Sequence, residues 1–357
     1  MIKTPLTLNK PIYLTDRTTI ETDWECGMKR WWYKHQDGGG IVPVKEPTYY
    51  REGRLIHADL AKIAEGHSLE QVLGDIETPD PLDIMAVEVW SRRIGWITAW
   101  ATWIWPSLRL NYEVMFAERE LILEYGPLWV ANTADLVVRD NRDGRVVVFD
   151  FKSVGMLTRN WVNHWPYAVQ MHINTKAVEV EIKEAPKFAQ VIGLVKGHEE
   201  GGKLRHPYVW AYSDGQAGWS KGWKKDWLLR PTVEYPGGPH AWALKLGQEE
   251  AQEQFVFSAP IIPDERLLES LLADRTQREA DIAFYFDGDH ASGNRHRATF
   301  EPRFSKCRPS IGSECAYLGA CHNAEINADP LGSGLYVKRT PHHEVELIGV
   351  PGDEVSI

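Results

Sequence analysis

The sequence predicts a mixed α/β (α+β) fold with a central mixed β-sheet flanked by helices, and three observations carry that expectation. Residues 113–152 read as successive β-strands, Trp165 to Val180 as a helix and Phe188 to Val195 as another strand, giving a β-β-α-β order. Two helical patterns precede those strands, at 49–66 and 86–104. The composition of the 357 residues, 43% hydrophobic and 25% charged, is that of a folded chain able to bury one large core.

Residues 1–48 read as an N-terminal arm. Its last stretch, 39–48, is punctuated by Gly and Pro, shows no period and is expected to be a loop. From Tyr49 to about Gly66 the pattern becomes helical, with Leu60, Ile63 and Ala64 on one side, and this helix carries His57. In Ala86 to Ile104, Trp90, Ile94, Ile97, Ala101 and Ile104 mark one helical face and Trp96, Trp100 and Trp103 a second stripe. A helix apolar on both sides is expected in a core rather than as a ligand platform. The core region runs over 49–196. Residues 197–260, rich in Gly, Trp and Lys, read as an insertion or loop-rich subdomain. Residues 261–325 hold a long polar helix from Arg266 to about Phe284 and a three-cysteine segment that closes on the core, and 326–357 form a loosely packed tail.

Several function classes are excluded or narrowed at this stage. A net charge of -10 argues against a generic basic coat protein for nucleic acid, whose affinity comes from many phosphate contacts. A local basic track remains compatible with that balance. The first residues, MIKTPLTLNK, lack the apolar stretch of a secretory signal, so a cytoplasmic protein is expected. The most apolar run, Ile94 to Pro106, falls short of the roughly 17–25 residues a membrane span needs, so no membrane association is expected. Cys26, Cys307, Cys315 and Cys321 are too few for a disulfide framework, and metal ligation is their leading use.

The most informative segment is ADLVVRD, NRDG, RVVVFDFK, two β-rich runs around an Asp-Gly turn. If Asp140 and Arg145 flank the turn, antiparallel pairing matches residues whose numbers sum to 285, and Asp135 faces Asp150. Lys152 joins the same face, while Phe149 and Phe151 point into the core with Leu136 and Val138. Two carboxylates side by side can hold Mg²⁺ or Mn²⁺, and a lysine beside them can orient or deprotonate an attacking water and offset charge on phosphorus. An exposed cross-strand charge cluster is the plainer reading of the same residues.

These motifs, with Gln170 downstream and Gly53 and His57 upstream, resemble the PD-(D/E)XK nuclease superfamily, particularly its RecB/AddB-like branch of iron–sulfur exonucleases. The resemblance covers roughly residues 20–325 in motif order. It implies a restriction-endonuclease-like core in which His57, Asp135 and Asp150 bind the metal, the backbone carbonyl of Phe151 completes the metal shell, Lys152 assists the water and Gln170 organises the site. It further implies a metal-dependent DNA exonuclease acting on single-stranded DNA or free ends, in recombination, repair or phage DNA processing, with a recombination or helicase partner and a bacterial or phage-infected cell as the setting. The branch places one Cys before the histidine helix and three near the C-terminus, so Cys26, Cys307, Cys315 and Cys321 would hold a [4Fe–4S] cluster. Their chemistry alone equally permits Zn²⁺. The seven-residue gap after Cys307 is wider than in many members, and Asn174 stands where the family has a tyrosine four residues after the Gln. Tyr167 or His172 could take that role. Glu118 and Glu120, on the preceding strand, could add a metal contact or form a solvated strand face.

Sixteen tryptophans are an unusual load. Trp161, Trp165, Trp219, Trp223 and Trp227 lie beside Arg159, Lys221, Lys224 and Lys225, an aromatic and basic interleaving suited to single-stranded DNA. The segment holding Lys221, Trp223, Lys224 and Lys225 is the expected strand-gripping element; a small aromatic core rimmed by lysines is its structural alternative. Two other functions fit the residues: a non-catalytic iron–sulfur module that binds DNA or a helicase, and a structure-specific endonuclease of the same fold.

Overall fold

The computed structural model describes residues 13–35, 39–45, 48–80, 83–154, 159–196, 198–200, 203–205, 238–291, 300, 303–307, 315–341 and 343. In chain order these form β1 (Tyr13–Asp16), α1 (Arg17–Glu25), α2 (Gly27–Arg30), β2 (Ile41–Pro43), α3 (Thr48–Ala64), α4 (Leu69–Gly74), α5 (Ile84–Ala99), α6 (Trp105–Arg109), β3 (Tyr112–Tyr125), β4 (Leu128–Asp140) and β5 (Val146–Val154). They continue with α7 (Arg159–His164), α8 (Val169–Ile182), β6 (Phe188–Val195), β7 (His198–Glu200), β8 (Lys203–Arg205), α9 (Gly238–Leu246), α10 (Gln248–Gln254), β9 (Phe255–Phe257), α11 (Glu265–Ala291), α12 (Leu318–His322), α13 (Ala324–Ala328) and β10 (Tyr336–Lys338).

The fold is mixed α/β. Its six-stranded sheet has the order β1-β4-β5-β6-β9, with β3 also paired to β4. Strand β4 is parallel to β1 and antiparallel to β5, and β6 is parallel to β5 and antiparallel to β9, so the sheet is mixed. The chain divides into two compact units: residues 1–47, 120–132 and 264–357, and residues 48–119 and 133–263. Strands β3 and β4 run through both.

In the second unit, Ile56, Leu60 and Ile63 of α3 and Trp96, Ile97 and Trp100 of the α5 region pack with Leu136, Val138, Phe149, Phe151, Ile192 and Leu194 of the sheet. Helix starts follow their caps. Ser68 and Gln71 form a reciprocal capping box at α4, and the Asp83 carboxylate accepts the Ala86 N–H at α5. The expected helix 86–104 is interrupted by a π-helical turn over Trp100–Ile104, whose wider turn resets the phase of the tryptophan stripe. Trp96 and Trp100 are fully buried. The end of the stretch read as an insertion is also integrated: Ala243, Ala251 and Phe255 enter this core, and β9 pairs with β6. Their segments are too short for a period to reveal that.

In the first unit, two expectations are corrected. Residues 39–48 are not wholly loop, and the stretch beyond Asn327 is not wholly loose, because β2 and β10 pair antiparallel through Ile41↔Lys338, Val42↔Val337 and Pro43↔Tyr336. Three-residue strands cannot show alternation, and their partners lie at opposite ends of the chain. Gly40 makes the entry possible: its φ is 84°, and a Cβ there would meet the Tyr33 carbonyl oxygen at 1.8 Å. Helix α11 is tied to the arm by buried ions. Asp23 accepts from Arg275 at 2.8 Å and from Arg278 at 3.2 Å, while Glu279 pairs with Arg30 at 2.5 Å and Arg275 at 2.8 Å.

The β4–β5 turn has its own anchor. The buried Asp140 carboxylate accepts from the Arg142 backbone N–H at 3.0 Å, from its guanidinium at 2.8 Å and from Lys187 at 3.0 Å. The Arg142 guanidinium is the strongest influence and outweighs burial, holding the carboxyl well below the usual carboxylate range. A carboxyl with a depressed folded value stabilises above the unfolded value, near pH 4, and that contribution is lost as pH falls through the folded value. Asp140→Ala is therefore expected to lower stability by about 2 kcal/mol at neutral pH. The gap to wild type should narrow in acid, which paired urea unfolding midpoints at neutral and acidic pH check.

Candidate active site

The β4–β5 ladder pairs Leu136↔Phe149, Val137↔Val148, Val138↔Val147 and Arg139↔Val146, the register expected from the turn. The turn itself closes with the Asp140 N–H on the Arg145 carbonyl at 2.8 Å. Asp135 and Asp150 are the next residues along their strands, and both are buried. There the pairing gives way to side-chain chemistry: the Phe151 N–H donates to Asp135 Oδ2 at 2.7 Å. Burial alone would raise the Asp135 pKa, but His57, Lys152 and the Phe151 N–H together outweigh it and hold this carboxyl below its ordinary range.

His57 projects from α3 with Nδ1 3.3 Å from Asp135 Oδ2. Its ring meets Phe151 edge-on, with centroids 5.8 Å apart, and that phenyl also meets Trp100 edge-on at 5.3 Å. The third partner is Glu118. One donor atom from each of His57, Glu118 and Asp135 lies within 4.8 Å of the others. Glu118 sits in β3 at φ 42°, a left-handed conformation that costs a non-glycine residue of order 1–3 kcal/mol. The inward phase of the strand slips there, from Tyr112 and Val114 to Ala117, which re-aims the carboxylate as a bulge does. Glu120, the other acid weighed on this strand, instead pairs with His343 at 2.8 Å.

Asp150 is held differently. Its carboxylate accepts from the Gln170 amide and from Asn174 Nδ2 at 3.2 Å, and its Oδ2 lies 2.6 Å from Lys152 Nζ. Gln170 and Asn174 are four residues apart on α8, hence on one helix face, and both are buried. Asn174, four residues after Gln170, thus joins it in donating to the Asp150 carboxylate. Tyr167 is 77% exposed, and His172 is engaged with the Pro166 carbonyl at 3.0 Å, so neither takes that role. Gly53 lies near β5, but an added Cβ would meet only Ser153 Oγ at 3.9 Å, an ordinary contact. Helix packing does not demand a glycine there.

The site therefore has two adjoining parts. His57, Glu118 and Asp135 offer one imidazole nitrogen and carboxylate oxygens, a donor set suited to Mg²⁺ or Mn²⁺. Asp150, in contact with Lys152, Gln170 and Asn174, lies beside that group and not within it. The motifs identify the acids and the histidine, whereas Glu118 depends on a backbone conformation that no periodicity encodes.

The four cysteines gather in the first unit. Cys26, Cys315 and Cys321 pack with Trp31, Trp32, Phe300 and Tyr317. The Cys315 N–H donates to the Cys307 carbonyl at 3.0 Å, the Arg303 N–H to Cys26 Sγ at 3.2 Å, and Trp32 Nε1–H to Cys321 Sγ at 3.1 Å. Burial is the main cause pushing the Cys307, Cys315 and Cys321 thiols upward, and each is pushed further by charge on other members of the four. Four thiols with N–H donors aimed at two of the sulfurs are the donor chemistry of a thiolate metal centre, but among the described residues the one group of ligand atoms within 4.8 Å of one another is that of His57, Glu118 and Asp135.

Lys221, Trp223, Lys224 and Lys225 lie outside the described residues. Among the described residues no helix is long and apolar enough to cross a membrane. No family model matches the chain, and no curated protein matches it.

Proposed function

We propose that the second unit is a metal-dependent DNA nuclease, an exonuclease-like phosphodiester hydrolase of PD-(D/E)XK type that acts on single-stranded DNA or free ends. The supporting observation is the approach of His57, Glu118 and Asp135 within 4.8 Å beside a buried Asp150–Lys152 pair. Bound Mg²⁺ or Mn²⁺ would supply Lewis-acid activation of a phosphate oxygen and of water. His57, Glu118 and Asp135 would hold the ion, with the Phe151 carbonyl as a further oxygen donor. Gln170 and Asn174 fix the Asp150 carboxylate, which in turn fixes Lys152. The Lys152 ammonium would face the attacked phosphate, orient the incoming water and offset charge as the water oxygen bonds to phosphorus and the P–O bond to the leaving oxygen breaks, the water's proton passing to solvent and the leaving oxygen taking one from solvent. In the first unit, the four cysteines hold a [4Fe–4S] cluster, with Zn²⁺ as the alternative.

This activity belongs to recombination, repair or phage DNA processing in the cytoplasm of a bacterial or phage-infected cell, with a helicase as a natural partner. The test is digestion of end-labelled single- and double-stranded DNA by purified protein with Mg²⁺ or Mn²⁺, with an Asp150→Ala preparation as the control. Protein that binds DNA but leaves it intact with either metal would instead be the non-catalytic module. Cutting of a covalently closed circle would mark the endonuclease.

Glu118 separates this metal site from a surface charge cluster. Glu118→Gln is expected to raise the Mn²⁺ concentration for half-maximal cleavage by about 10–100-fold, with activity recovered at high metal. A metal titration unchanged from wild type would remove Glu118 from the shell.

A further inference from the structure

Helix α3 carries His57, and two buried acids on either side of that histidine tie the helix down. Glu52 and Asp59 are seven residues apart, close to two helical turns, so they lie on one flank of α3. Adjacent arginines of α5 take one each. Arg92 Nε donates to Glu52 Oε1 at 2.8 Å; Arg93 donates from Nε to Asp59 Oδ2 at 2.5 Å and from Nη2 to Oδ1 at 3.0 Å. The second oxygen of Glu52 accepts from Lys196 Nζ at 2.6 Å. Lys196 follows β6, and its own N–H donates to the Val154 carbonyl at 2.7 Å, at the end of the strand that carries Asp150 and Lys152. One carboxylate thus links α3 both to α5 and to the sheet.

We propose that Glu52, held by Arg92 and Lys196, is a positioning residue for His57: it fixes α3 where the imidazole joins Glu118 and Asp135 around a divalent ion. The proposal rests on the metal reading of those three residues. Ile56, Leu60 and Ile63 of the same helix make apolar contacts, which are non-directional. At Gly53, beside Glu52, an added Cβ would meet only Ser153 Oγ at 3.9 Å, so packing there is not tight. A slip of one residue turns a helix by roughly 100° and moves it about 1.5 Å, enough to take His57 Nδ1 away from its 3.3 Å approach to Asp135. Directional ion pairs oppose that slip. Stability is a poor account of them, because burying charges costs more than an apolar cluster of the same shape, and what they supply is a defined geometry. Burial alone would push the Glu52 carboxyl up, but Arg92 and Lys196 outweigh it and hold the group below its ordinary value.

The test uses Mn²⁺ bound to the full chain without DNA, read by its dissociation constant and by the nitrogen hyperfine coupling that an imidazole ligand gives in pulsed EPR. Wild type should show the coupling and His57→Ala should lack it. Glu52→Ala leaves two cations without their partner and is expected to fold poorly. The informative protein is therefore the triple variant Glu52→Leu, Arg92→Met, Lys196→Met, which removes the three charges together. It is expected to melt near wild type, to bind Mn²⁺ about tenfold more weakly and to lose the nitrogen coupling. Glu52→Gln, which keeps the shape of the side chain, should fall between the two in Mn²⁺ affinity. Either variant, folded, with wild-type affinity and coupling overturns the positioning role. Wild type that binds Mn²⁺ without nitrogen coupling overturns the metal reading of His57, and the positioning role with it. Coupling present in wild type and lost in the triple variant, in a protein that never cuts DNA, overturns the hydrolase reading and leaves the role of Glu52 standing.

Discussion

Asp135→Ala is expected to lower metal-dependent cleavage by at least about a thousandfold while DNA affinity stays near wild type. Asp135 is the acid that joins His57, Glu118 and the Phe151 peptide. Its Oδ2 meets His57 Nδ1 at 3.3 Å and the Phe151 N–H at 2.7 Å, and it stands within 4.8 Å of a Glu118 oxygen. Removing it deletes a charged ligand and leaves a peptide N–H without its acceptor, a structural cost of about 1–3 kcal/mol. The catalytic cost is larger because the two remaining side-chain ligands and the Phe151 carbonyl hold a divalent ion poorly. Asp150→Ala should be as inactive for a different reason: Lys152 loses the carboxylate 2.6 Å away that aims it. A comparison of the two separates their roles. Excess Mn²⁺ should recover part of the Asp135→Ala activity and none of the Asp150→Ala activity. Single-turnover rates across a metal titration give both numbers, and an Asp135→Ala protein cutting within a few-fold of wild type ends the assignment.

Much of that site could be read from residues alone because a β-hairpin is a local object. The Asp-Gly turn and two alternating runs determine a register, and register determines which side chains share a face, so Asp135, Asp150 and Lys152 follow from short-range geometry. The helix bearing His57 and the strand Phe188–Val195 were equally legible, since each is long enough to display its period. What escaped is non-local or lies in the backbone. Glu118 and Glu120 read together as acids of one strand, and what sets Glu118 beside His57 and Asp135 is a positive φ that its neighbours in sequence do not announce. The pairing of β2 with β10 joins residues near 42 to residues near 337 through three-residue strands. Asn174 is an intermediate case: its four-residue step from Gln170 is visible in the sequence, but the group its short amide meets is not. That group is the Asp150 carboxylate, at 3.2 Å.

Cys26→Ala is expected to destabilise the first unit on the order of 5 kcal/mol and to abolish its metal content together with any visible absorption. The four sulfurs come from distant parts of the chain, and a metal bridging Cys26 to Cys307 closes a loop of about 280 residues, where the entropic gain is greatest. Trp31, Trp32, Phe300 and Tyr317 pack with Cys26, Cys315 and Cys321, and N–H groups of Trp32 and Arg303 point at two of the sulfurs. Without metal, the burial that raises three of the thiols leaves them protonated and makes the pocket a modest apolar cavity filler. In that case Cys26→Ala removes only a small buried group and costs about 1 kcal/mol. The two outcomes differ severalfold and need no assumption about catalysis. Protein prepared without oxygen, its iron and zinc content, its spectrum and its melting curve with and without a chelator distinguish them. Full iron or zinc content together with an unchanged melting temperature in Cys26→Ala would remove Cys26 from the centre. An iron-free, zinc-rich wild type would assign zinc to the same four thiolates.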